Sequence, residues 1–184
     1  SEAERVKREL DEALKKAKKA LEDNKRKLEE ALRKHREDAK RWKEELEKAL
    51  KEAEKAAKDL RRDADKEELD RLREDLERKA KKLKDEIEKI NRELEELAKR
   101  HEDTNRKLEE DLRRLAKKLR EEIEKDGADK EAERKLRELE KRAKEALERS
   151  KEHSDELEER ARKANKEIED KLKRLAEEAE KEAR

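Results

Sequence analysis

The chain has 184 residues, enough for one domain, and its 60 Lys+Arg and 59 Asp+Glu leave a formal net charge of only +1. Such balance gives no strong field for nucleic acid, an anionic membrane or an acidic substrate. The absence of cysteine excludes disulfides, thiolate nucleophiles and cysteine metal sites, and no apolar run approaches the roughly 20 residues that a membrane span needs.

No signal-peptide h-region is recognisable, so a soluble chain without a targeting signal is expected. The start at Ser1 without a methionine points to a removed leader or tag. A charged fraction of 65% would ordinarily suggest disorder. Near-zero net charge and strong helical periodicity argue against it. Phe, Tyr, Met, Gln, Cys and Pro are absent, and nearly all positions are Ala, Leu, Glu, Lys, Arg or Asp, most of them strong helix formers.

A first helix is expected over about 2–62. Its apolar stripe runs Ala3, Val6, Leu10, Ala13, Ala17, Ala20, then Asn24, Leu28, Ala31, His35, Ala39, Trp42, Leu46, Ala49, Ala53, Ala56 and Leu60. Every step is three or four residues, with a mean of about 3.56, which is one face of a nearly straight helix. Ser1 with Glu4 forms a capping-box pattern at its start. Leu14, Leu21, Leu32 and Leu50 lie beside the main stripe. They thicken the core or form a second seam for a partner helix.

Arg62-Asp63-Ala64-Asp65-Lys66-Glu67-Glu68 then breaks the pattern, with Asp65 as cap and Glu68 completing a capping box. The second helix, about 66–125, carries Leu69, Leu72, Leu76, Ala80, Leu83, Ile87, Ile90, Leu94, Leu97, His101, Asn105, Leu108, Leu112, Leu115, Leu119 and Ile123. At the second break, Gly127 supplies a left-handed stop and Asp129 caps the next helix. The third helix, about 130–183, carries Ala132, Leu136, Leu139, Ala143, Ala146, Ser150, His153, Leu157, Ala161, Ala164, Ile168, Leu172, Leu175 and Ala179. Acidic residues crowd the helix starts and basic ones the ends, which complements the helix dipoles.

Connections this short force antiparallel neighbours. The expected fold is all-α: a single-domain, antiparallel up-down-up bundle of three long, nearly straight helices, each roughly 85 Å at about 1.5 Å per residue. Positions whose numbers sum to about 128, on the first and second helices, should share a level. So should positions summing to about 254, on the second and third.

This register gathers the polar residues that interrupt the stripes. Asn24, His101, Thr104, Asn105, Ser150, His153 and Ser154 map to one group of levels. His35, Asn91 and Asn165 map to a second. These ten are every Asn, His and Thr and every Ser except Ser1. An unpartnered buried polar group costs about 1–3 kcal/mol, so ten of them would cost roughly 10–30, against a domain stability of about 5–15. They must mostly bond to one another, to backbone or to solvent. A polar layer satisfied in only one register then selects that register.

A zinc or haem reading of the three histidines fits poorly, because His35 lies about eight residues, or roughly 12 Å, from the level of His101 and His153. No metal, cofactor or catalytic residue is expected. Nothing resembles a nucleophile elbow, an oxyanion hole or a glycine-rich phosphate loop. Trp42 is read as core, with its indole N–H bonded locally.

The restricted alphabet, the repeated turn grammar (Asp-Ala-Asp-Lys-Glu and Asp-Gly-Ala-Asp-Lys-Glu) and the layered His/Asn/Ser/Thr positions resemble de novo designed helical bundles with buried hydrogen-bond networks. The resemblance covers the whole chain. It implies a scaffold, a rigid rod or a component of an assembly. Separately, no enzymatic activity is expected, and recombinant expression in the cytoplasm is. A monomer is the first expectation. The alternative is an interaction module, one component of a homo- or hetero-oligomer, made pH-sensitive by its buried histidines.

Overall fold

The computed structural model describes residues 1–59 and 66–182. Leu60, the Arg62–Glu68 turn's Asp65 cap and the final residues Ala183 and Arg184 lie outside the described residues. Three helices account for nearly all the rest: α1 (Glu2–Asp59), α2 (Lys66–Asp126) and α3 (Lys130–Glu182). They form an antiparallel up-down-up three-helix bundle, as the stripes and short connections require.

The described helix ends follow from local chemistry. The Glu4 amide donates to Ser1 Oγ (3.4 Å), an N-terminal cap for α1. After α2, Gly127 adopts a φ of 79°, and its amide donates to the Ile123 carbonyl at 2.9 Å. That is the left-handed termination for which glycine is the cheapest residue. Asp129 then opens α3: its carboxylate accepts from the Ala132 amide at 2.9 Å, and its carbonyl from the Glu133 amide at 3.1 Å.

The chain divides into two compact units, each holding a segment of every helix. Unit 1 comprises Ser1–Glu30 and Leu97–Glu158. Its apolar core joins Val6, Leu10 and Ala17 of α1 to Leu112, Ala116, Leu119 and Ile123 of α2 and to Ala132, Leu136, Leu139, Ala143 and Ala146 of α3. Leu14 packs against this cluster from its edge, and Leu21 is itself buried. Each fully buried leucine contributes about 1.5–3 kcal/mol of hydrophobic stabilisation. Ion pairs tie the helices at the rim, including Arg5 with Glu133, Arg120 with Asp11, and Lys135 with Glu122 at 2.6 Å.

Unit 2 comprises Ala31–Glu96 and Glu159–Arg184. Its core joins Ala39, Trp42 and Leu46 of α1 to Leu76, Ala80, Leu83 and Ile87 of α2 and to Ile168, Leu172 and Leu175 of α3. Leu50 packs on this cluster, while Leu32 is half-buried. Arg36 donates to Glu95 (3.0 Å), and Arg41 to Glu169 (3.1 Å). Among the described residues no large hydrophobic side chain is exposed. None of the helices is long and apolar enough to cross a membrane.

Candidate functional site: the buried polar side chains

In unit 1 the polar residues sit on the core faces of all three helices. Asn24, His101, Asn105, Ser150 and Ser154 are buried, and Thr104 and His153 are half-buried. Asn24 on α1 donates through Nδ2 to Ser150 Oγ on α3, at 3.0 Å. One turn further along α3, Ser154 Oγ donates to the Asn24 main-chain carbonyl at 3.5 Å. These two contacts tie α1 to α3 at one level. The separation between Asn24 and Ser150 is 126 residues, the offset set by the two expected hairpin sums.

His101 of α2 and His153 of α3 also share a level. Their rings stack with centroids 4.3 Å apart and planes 11° from parallel. Glu156, one turn beyond His153, brings Oε2 to 3.6 Å from His101 Nε2. The stripe pattern did not single out Glu156, because it lies on the flank of α3 and is exposed. A carboxylate one helical turn from a core histidine was the available signal.

Not every polar group joins a cross-helix bond. Thr104 Oγ1 donates back to the Arg100 carbonyl of its own helix at 2.9 Å, a local alternative open to any helical threonine. Both side-chain polar atoms of the buried Asn105 are without a hydrogen-bond partner. Periodicity places a residue on a face, but the rotamer decides whether its amide meets a partner.

In unit 2, His35 is buried and Asn91 and Asn165 are half-buried. The His35 ring meets Trp42 edge to face, with centroids 5.7 Å apart and planes at 69°. Burial is the largest influence on His35 and pushes the imidazole below its ordinary value of 6.5. Asn91, Asp38 and Glu95 favour the charged form but do not offset that burial. The local bond expected for the Trp42 indole N–H is not formed: Nε1 is buried without a partner. His35 Nε2, Asn91 Oδ1 and Asn165 Oδ1 also stand without partners.

Among the described residues, no group of three or more His, Asp or Glu side chains is placed to hold a metal ion. In unit 1 a shallow groove of about 410 Å³ runs between α1 and α3. Ala13, Ala17 and Ala143 form its floor, and Glu12, Lys16 and Lys144 are on its rim. The Asn24–Ser150 and Ser154–Asn24 contacts supply hydrogen bonding between α1 and α3. Comparison with protein-family models, curated proteins and solved structures finds no match to this chain.

Proposed function

We propose that this chain is a designed structural scaffold without enzymatic activity, in which buried polar layers select one arrangement of three otherwise interchangeable amphipathic helices. The observation that carries this reading is the Asn24–Ser150 hydrogen bond with its companion from Ser154 to the Asn24 carbonyl. Leucine and alanine seams pack acceptably in several alignments and with several partners. An asparagine amide facing a serine hydroxyl is satisfied in one alignment and left bare in the others, at about 1–3 kcal/mol per bare group. The short connections already restrict sliding within a chain. The layers therefore act chiefly against exchange of helices between copies. The designed-bundle grammar of the turns and the restricted alphabet support the same reading.

The test compares the chain with a variant carrying Asn24→Leu, Asn105→Leu, Ser150→Ala and Ser154→Ala. Mass is measured by light scattering on a size-exclusion column over a wide concentration range. The parent should keep the mass of one chain. The variant should resist denaturant better yet spread over several masses. A variant as uniform as the parent would refute a selecting role for the layers. A parent that runs as a stable dimer would favour the alternative, an interaction module, and would direct mutation to Leu14, Leu32 and the α1–α3 groove.

A further inference from the structure

Unit 2 contains a second polar cluster that makes no cross-helix hydrogen bond through four of its atoms. These are Trp42 Nε1, His35 Nε2, Asn91 Oδ1 and Asn165 Oδ1, all buried. Trp42 and His35 are themselves almost wholly buried, at 0% and 3% exposure. Surface ion pairs place Asn91 and Asn165 alongside the stretch of α1 between His35 and Trp42. Arg41 pairs with Glu169, so Asn165, one turn back along α3, lies alongside the stretch of α1 between His35 and Trp42. Arg36 pairs with Glu95 and Lys43 with Glu88, so Asn91 lies between those ties and faces the same stretch. The His35–Trp42 ring contact closes the group on α1. Ala39, which lies between them in sequence on the same helix, is buried and has a small side chain.

Their chemistry is complementary to a single small molecule. The indole N–H can only donate and the two amide oxygens can only accept, while His35 Nε2 does either according to its tautomer. A water molecule accepts two hydrogen bonds and donates two. It would accept from Trp42 Nε1 and His35 Nε2 and donate to Asn91 Oδ1 and Asn165 Oδ1. Buried waters in folded proteins typically make about three such bonds to groups that lack other partners. We propose that unit 2 holds an internal water site formed by Trp42, His35, Asn91 and Asn165, which joins the three helices through a shared bound water.

The chain carries its own reporter. Trp42 is the only tryptophan and there is no tyrosine. One indole N–H resonance and one fluorophore therefore report on this site alone. The first experiment is NMR cross-relaxation on the unmodified protein. A direct cross-peak between the Trp42 indole proton and water, with the sign of a nanosecond-or-longer residence, is the expected result. An indole proton that contacts only the Asn91 or Asn165 side chain, with no water peak, would overturn the proposal, because the donor would then be bonded directly. The second measurement is fluorescence of Asn165→Leu, a substitution at a half-buried position. Loss of the water should move Trp42 emission to the blue, whereas unchanged emission would also count against the site.

Discussion

The Asn24 amide is the most exposed to a single substitution. Ser150→Ala removes its acceptor while leaving it buried, and an orphaned buried donor costs about 1–3 kcal/mol. Asn24→Leu with Ser150→Ala removes both partners and should recover much of that loss. Urea unfolding of the two single variants and the double should therefore show a coupling of the order of 1 kcal/mol; additive losses would mean the bond contributes nothing. His35 makes a separate, pH-dependent contribution. Its folded value lies below 6.5 because burial disfavours the imidazolium. Between 6.5 and that lower value the unfolded chain holds a proton that the folded chain does not, so stability is full above 6.5 and falls as the pH drops. Urea midpoints at pH 7.5 and 5.5 should fall for the parent and fall less for His35→Leu, with equal falls counting against the histidine.

At the scale of the helix, termination is local and separable. Gly127→Ala would place a Cβ in open space, with nothing within 4 Å, so its cost is conformational alone. That cost should be about 1–2 kcal/mol for the positive φ, read as a lowered thermal midpoint. Asp129→Ala removes the acceptor for the Ala132 amide and should cost about 1 kcal/mol, with faster hydrogen exchange confined to the first turn of α3. Features of this kind were legible in the sequence, because a glycine stop, an aspartate cap and a step of three or four residues are set by backbone geometry. The stripe residues Val6, Leu10, Ile87, Leu136 and Ile168 are all fully buried for the same reason. The register was legible too, as the Asn24–Ser150 bond and the His101–His153 stack show. Less legible were side-chain outcomes one rotamer away from the backbone. Thr104 bonds its own helix, Asn105 finds no partner, and the Trp42 indole is not bonded locally. Ala98 and Ala116 are buried although they lie one position off the traced stripe. A stripe drawn one residue wide omits the flanks that a third helix covers.

Across the whole molecule, stability rests on apolar burial more than on charge. The ion pairs are largely exposed, and such pairs contribute about 0–1 kcal/mol each, less in salt. The two apolar clusters share no residue: one is built around Leu10 and Leu136, the other around Trp42 and Ile168. Leu136→Ala should cost about 2–5 kcal/mol, because a fully buried leucine leaves a cavity as well as losing its transfer energy. If each cluster stabilises its own unit, native-state hydrogen exchange will divide the cost unevenly. Amides of unit 1, such as those around Leu112 and Leu139, should lose protection by the full amount. Amides around Leu83 and Ile168 in unit 2 should keep most of theirs until global unfolding is reached. Each helix runs through both units, however, so a break in one requires a helix to fray at residues near 30, 97 and 158. Equal loss of protection in both units would show instead that the helices transmit the whole defect, and that the chain unfolds as one cooperative body.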